Sequence, residues 1–555
     1  MTRRLRLLLA SILGLAGMAT ASHGLSAAEP ERVTIDSGSL QGASRDGVTS
    51  FKGIPFAQPP VGALRWRPTQ AVKPWTGVRN ATAYGADCMQ EPFPGDAAPL
   101  GVQSAEDCLY VNVWTPQKRG SAKLPVMVWI YGGGFVNGGS SPSVYDGSEF
   151  AKDGVVLVSF NYRLGHFGFF AHPALSAEQK GELLGNYAIM DQIAALQWVK
   201  RNVAAFGGDP RNVTIFGESA GGVAVHILMI SPLSEGLFQK AIVESGGGRP
   251  GLLAGRPLSG GGDSGEARGL VFAKKYGIEG TDAAALKALR DVPAATIAKG
   301  FNMTTMGDSS YAGGPLVEGK LVLGSPSTLY AKGKGVRVPL IIGATDSDIG
   351  FVQAKTLDEL YASFGANADK ARALYGAGSK TADSSVADSK VAEPKGAATQ
   401  AADPNVAFRA IAVQASSDQI MAEPVRHIAR IRTAQGLKVW QFRFSYIAES
   451  LRNQWPGAPH ATEIPYVFDT VAARYGKDLT PADAAAAKAT HAYWVGFAKT
   501  GAPQAAGLPD WPVYTLERDA IMDFTNAGPK AGADSWKPRL DLAEAFSNAR
   551  EQGHE

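Results

Sequence analysis

Between positions 212 and 229 the chain reads Asn-Val-Thr-Ile-Phe, then Gly-Glu-Ser-Ala-Gly, then Gly-Val-Ala-Val-His-Ile-Leu-Met. The opening β-branched and aromatic run predicts a buried strand, and the closing apolar run predicts a buried helix. A serine between two glycines at such a junction restricts the fold severely. The turn is so sharp that only residues without bulk fit beside Ser219, whose hydroxyl is thrust out above the sheet while the following helix points its N-terminus at it. The pentapeptide alone also fits an ordinary glycine-rich turn; its place between strand and helix gives it chemical meaning.

Residues 126–130, 155–160, 241–243 and 339–342 are similar continuous apolar runs, the mark of strands covered on both faces. Over 186–205, Ile189, Ile193, Leu196, Trp198 and Val199 are spaced for one buried side of a helix. Strand and helix in alternation predict an α/β fold: a large, mostly parallel sheet flanked by helices, with long loops inserted. Residues 438–445 and 521–524 read as late strands, and 32–36 with 38–42 as an N-terminal hairpin. At 555 residues and 45% hydrophobic composition the chain has material for a large core, and one domain is expected over 29–555. Two stretches differ in texture. Residues 376–402, nearly all small or polar, predict an exposed insertion or flexible loop, with a short amphipathic helix as the alternative. Residues 255–265, dense in Gly and Ser, predict another mobile loop.

The N-terminus carries Arg3, Arg4 and Arg6 ahead of an apolar run over 7–18, too short for the roughly 20 residues of a membrane span. Ser26, Ala27 and Ala28 suit a cleavage site, so 1–28 predicts a secretory signal peptide, with cleavage after Ala21 as the alternative. Arg3-Arg4 also fits the twin-arginine route. The formal net charge of +3 includes those leader arginines and no leader acid, so the mature chain is formally neutral. Such a balance implies neither nucleic acid nor a membrane surface as partner. A periplasmic or secreted protein without a stable membrane anchor is expected; the oligomeric state is not readable. In that compartment Cys88 and Cys108 predict a disulfide, with two buried thiols as the alternative. No metal-ligand spacing such as C-x-x-C occurs, and no metal or cofactor is expected.

Ser219 can act as a nucleophile only with a base in reach and an acid to orient that base, in the chain order serine, acid, histidine. His23 lies in the predicted leader, His554 at the C-terminus, and His226 two helical turns beyond Ser219, where its ring would pack in the core. His460, in a loop after a strand, can fold back over the sheet edge. The acid candidates are Asp348 and Asp346, just past the run at 339–342, at the strand end where such sheets gather their catalytic groups. Tyr131-Gly-Gly-Gly-Phe135 follows the strand at 126–130. Its backbone N–H groups, with that of Ala220, can serve an oxyanion, although a triple glycine also suits a simple turn.

Phe51-Lys-Gly-Ile-Pro-Phe-Ala57, Glu106-Asp-Cys-Leu-Tyr-Val-Asn112, Asn161-Tyr-Arg-Leu-Gly165 and Phe206-Gly-Gly-Asp-Pro210 complete a wider pattern. With the serine pentapeptide they resemble the type-B carboxylesterase and lipase family, the cholinesterase-like branch of the α/β-hydrolases, from about Val33 to Phe524. The resemblance implies an α/β-hydrolase fold and a serine esterase acting on small-molecule esters through an acyl-enzyme. It implies Ser219 as nucleophile, His460 as base, and Gly133, Gly134 and Ala220 as oxyanion donors. The family's acid is usually a glutamate in Asp-Glu-Gly; here the matching place holds Asp348 followed by Ile349. Glu218, Ser245 and Glu463 match supporting positions around a buried water near the histidine. Cys88 and Cys108 match the family's first disulfide loop, and Arg65 with Glu106, and Arg163 with Asp191, its structural ion pairs. The tryptophan with which cholinesterases hold a quaternary ammonium is absent from 89–107, which argues against a choline ester. An interfacial lipase and a catalytically inactive, neuroligin-like binding protein are the rival readings.

Overall fold

The continuous apolar runs pair side by side in the computed structural model, which describes residues 31–118, 120, 123–250, 255–376 and 404–552. The predicted leader and residues 377–402 of the predicted insertion lie outside the described residues. β1 (Arg32–Ile35) and β2 (Gly38–Gln41) make the N-terminal hairpin. The main sheet is built from β3 (Ala43–Arg45), β4 (Val48–Pro55), β5 (Tyr110–Pro116), β6 (Leu124–Ile130), β7 (Val156–Phe160), β8 (Gly208–Glu218), β9 (Lys240–Glu244), β10 (Leu340–Thr345), β11 (Val439–Phe444), β12 (Ala520–Thr525) and β13 (Gly528–Ala533). Its 11 strands follow the order β13-β12-β11-β10-β9-β8-β6-β7-β5-β4-β3. From β7 through β12 neighbours run parallel, and antiparallel strands finish both edges.

The central strands lack alternation because helices cover both faces. All of β7, β9 and β10 is buried, and each fully buried Val, Leu or Ile there contributes about 1.5–3 kcal/mol relative to exposure. The helices that matter for the site are α1 (Tyr187–Asn202), α2 (Ala220–Ile230), α3 (Glu423–Ala434), α4 (Val471–Tyr475), α5 (Pro481–Thr500) and α6 (Lys537–Gln552). Every residue of α2 is buried. His226 packs there against Tyr330, its Nδ1 3.2 Å from the phenol oxygen, and burial pushes its imidazole down to about 4. It is a neutral core residue, as its position predicts. α5 starts on a Thr480–Asp483 capping box with Pro481 in its first turn, and stops at left-handed Gly501, each device satisfying backbone groups that a helix end leaves free.

Both predicted ion pairs form. Arg65 grips Glu106 through two bonds of 2.6 and 2.7 Å, and Arg163 grips Asp191 through two of 2.8 Å. Asp191 lies on α1 and draws that helix in so closely that its polar Asp191 and Gln192 are buried with its apolar side. α6 is fastened by charge. Arg426 of α3 donates to Asp541 and Glu544, while Arg249, on the segment after Ser245, joins Glu423 of α3 to Glu551 of α6.

The stretch over 255–265 departs from expectation. Pro257 pairs with Val317, and Arg256 and Arg268 both bind Asp263. Ion pairs and a β-bridge thus tie down a segment whose composition predicts mobility.

Cys88 and Cys108 form the expected disulfide, with Cα atoms 4.9 Å apart and a sequence separation of 20. A loop of that length restricts the unfolded chain enough to stabilise by about 3 kcal/mol. The double variant Cys88→Ser, Cys108→Ser should therefore unfold at lower urea, with a loss near that size; an unchanged midpoint would show that the bridge adds nothing to stability. No helix among the described residues is long and apolar enough to cross a membrane.

Candidate active site

At the end of β8 the chain turns abruptly into α2, and Ser219 takes φ 56° and ψ −123°, a region that costs a residue with a side chain about 1–3 kcal/mol. The flanking glycines are steric necessities. A Cβ on Gly217 would stand 2.6 Å from the Ile130 carbonyl oxygen, one on Gly221 would collide with the same atom, and one on Gly132 would come within 3.0 Å of Ser219 Cβ. The Ser219 N–H donates to the Glu244 carbonyl at 2.9 Å, which locks the turn to β9. The Ser219 hydroxyl faces an open cleft and makes no hydrogen bond among the described residues.

Beside it the loop after β6 folds back on itself. Gly133 and Gly134 have φ values of 91° and 62°, and the N–H groups of Val136 and Asn137 both donate to the Gly133 carbonyl. Gln90 and Asn137 brace this loop from outside. Among the described residues the N–H groups of Gly133, Gly134 and Ala220 donate to no protein acceptor. They are free to meet an anion, and α2 adds the positive end of its dipole.

His460 and Asp348 converge across a sequence separation of 112, with Nδ1 2.5 Å from Oδ1. The other Asp348 oxygen accepts from Ser245 Oγ at 2.7 Å and from Thr345 N and Oγ1 at 3.2 and 3.0 Å. Burial pushes the Asp348 carboxyl up, but the His460 charge and these donors hold it below the usual carboxylate range. Asp346 does other work. It accepts the Ala458 N–H at 2.6 Å, and Ser347 pairs with Pro459, so this turn fastens the loop that carries His460. Burial pushes Asp346 up to about 7.

Behind the imidazole lie three buried carboxyls. Glu218 presents Oε1 3.1 Å from His460 Nε2. β8 and β9 set Glu218 opposite Glu244, whose Oε1 accepts from Trp494 Nε1 at 2.8 Å. Glu463 is fully buried, and neither of its oxygens, nor Glu244 Oε2, has a hydrogen-bond partner among the described residues. Burial pushes each of the three up to about 8. Burial would push His460 down, but the Glu218 and Asp348 carboxylates outweigh it and raise the imidazole to about 10. Glu218 and His460 therefore compete for one proton.

The cleft in which Ser219 and His460 meet has a volume of about 210 Å³, with Phe93, Val144, Tyr145, Met303 and Ile464 among its walls. Phe93 comes from the loop closed by the disulfide, which thus lines the cleft. Glu244 is the residue that sequence reasoning misses. It ends a buried strand beside Ser245, close to the kind of position that brings both Asp346 and Asp348 into consideration.

Parallel strands that raise a serine elbow at their carboxyl ends, facing a histidine delivered by a later loop, are the arrangement of the α/β-hydrolases, and the chain has that fold. The sequence model of the Carboxylesterase family matches residues 29–538; the chain belongs to that family and is a carboxylic ester hydrolase acting on small-molecule esters. It is 36% identical to the fumonisin B1 esterase of Sphingopyxis macrogoltabida, covering 88% of this chain and 85% of that protein. It is 33% identical to the para-nitrobenzyl esterase of Bacillus subtilis (strain 168), over 87% of this chain and 93% of that one. A solved structure of a PNB esterase superposes with a TM-score of 0.74 at 30% identity, covering 92% of this chain and 99% of that chain.

Proposed function

We propose that ester hydrolysis proceeds through an acyl-enzyme on Ser219, with His460 as general base and Asp348 as the acid that orients it. The observation that carries this is the 2.5 Å contact of His460 Nδ1 with Asp348 Oδ1, on the wall of the cleft that holds Ser219. A carboxylate on Nδ1 keeps the proton there and leaves Nε2 as the acceptor. Nε2 rests beside Glu218 in this state and swings to Ser219 Oγ as the ester arrives, a tightening common on substrate binding. Oγ then attacks the carbonyl carbon while its proton passes to Nε2. The carbonyl oxygen becomes an anion held by the N–H groups of Gly133, Gly134 and Ala220. Collapse breaks the bond to the alcohol, which leaves with the proton from Nε2. Water, deprotonated in turn by His460, releases the acid and restores Ser219. Ser245 supports Asp348 directly, while Glu218 and Glu463 set the charge around the imidazole.

A fluorophosphonate should label Ser219 stoichiometrically, with the adduct located by peptide mass spectrometry. Labelling of another residue, or none, would sink the assignment. The base must be unprotonated to act, so a raised His460 value places the acid limb of the kcat/KM profile high. Glu218→Gln removes a carboxylate that favours the imidazolium; the His460 value falls and the limb should move to lower pH by about one unit. A limb that stays in place would show that Glu218 does not hold the imidazole proton.

A further inference from the structure

Arg474 lines the same cleft as Ser219 and His460, yet nothing in the reaction as described uses it. It sits on α4, exposed toward solvent, and reaches the loop closed by the disulfide with one long bond from Nη1 to the Ala97 carbonyl, 3.4 Å. A guanidinium carries five N–H donors in a rigid fork. Among the described residues no carboxylate forms an ion pair with Arg474, and its remaining donors have no protein acceptor. Asp96, which also lines the cleft, accepts the N–H of Ala98 at 2.9 Å within its own turn. Deeper in the cleft Glu218 is buried and shares a proton with His460, so it opposes an incoming anion less than its composition suggests. A fork of unfilled donors at the mouth of a hydrolytic cleft matches one ligand chemistry above others, the planar carboxylate, which it can bind through two parallel bonds.

We propose that Arg474 selects esters that carry a free carboxylate away from the scissile bond, such as half-esters of dicarboxylic or polycarboxylic acids. This inference rests on the hydrolytic reading of the cleft and adds to it the class of substrate. Water covers the guanidinium until such an ester arrives; the apolar walls hold the chain between the two carboxyl groups, and the fork fixes the far end. The selection then appears chiefly in KM, because the contact forms before the carbonyl is attacked.

The test pairs charged and neutral esters of equal acyl length: monoethyl succinate, glutarate and adipate against ethyl butanoate, pentanoate and hexanoate. A second set places the carboxylate on the alcohol side, with acetoxybutanoate and acetoxyhexanoate against butyl and hexyl acetate. The charged-to-neutral ratio of kcat/KM is measured for the wild type, Arg474→Gln and Arg474→Lys. In at least one pair the ratio should fall roughly ten- to hundred-fold in Arg474→Gln, recover in part in Arg474→Lys, and shrink in the wild type as salt is raised. The responding set tells on which side of the ester bond the carboxylate lies. Ratios equal in wild type and Arg474→Gln throughout both sets, with neutral esters hydrolysed, would overturn the inference and leave the reaction standing. Failure of every ester, neutral ones included, would overturn the hydrolytic reading itself.

Discussion

Ser219→Ala is expected to lower kcat for a short p-nitrophenyl ester by at least about four orders of magnitude, with the fold intact. The fold should survive because alanine keeps the Cβ that the turn already accommodates at φ 56° and loses only an oxygen that makes no hydrogen bond among the described residues. On the proposed mechanism, what disappears is the acyl-enzyme. The amide donors of Gly133, Gly134 and Ala220 remain, so a residue of rate above that of water should persist from oxyanion binding alone. Steady-state kinetics on purified protein, with circular dichroism to establish folding, reads both. Hydrolysis at the wild-type rate would end the case for Ser219.

The second large effect separates two neighbouring acids. Asp348→Asn places an amide against His460 Nδ1, and the amide's own N–H favours the tautomer with its proton on Nε2, where it blocks acceptance from Ser219. A fall in kcat of about 10⁴ is expected. Asp346→Asn keeps an oxygen that can still accept the Ala458 N–H, so the His460 loop stays fastened and the loss should remain within about tenfold. Equal losses in the two variants would undo the division of labour between catalysis and loop support.

The contrast between these acids also marks where the sequence stops being informative. The strands were legible because continuous apolar runs have few alternatives in a chain this size, and the serine turn because its glycines answer to the Ile130 carbonyl. Position alone favours Asp348 over Asp346 only weakly, since both lie just past one strand, and the preference for Asp348 leans on the family resemblance. Thr345 decides between them by donating twice to Asp348 and so turning that carboxylate toward His460. Glu244 stayed hidden because its partner Trp494 is 250 residues away, and one sequence does not show which distant side chains meet. The stretch over 255–265 misled for a related reason: composition counts glycines but does not see two arginines gathering on Asp263.

The charge clamp on α6 reaches beyond that helix. Arg249 binds Glu551 and lies on the segment that follows Ser245, the residue that steadies Asp348. The last turn of α6 is thereby tied, through Arg249 and a short stretch of backbone, to the strand end that carries Ser245. One arginine thus holds both the packing of α6 and the start of the segment behind Asp348.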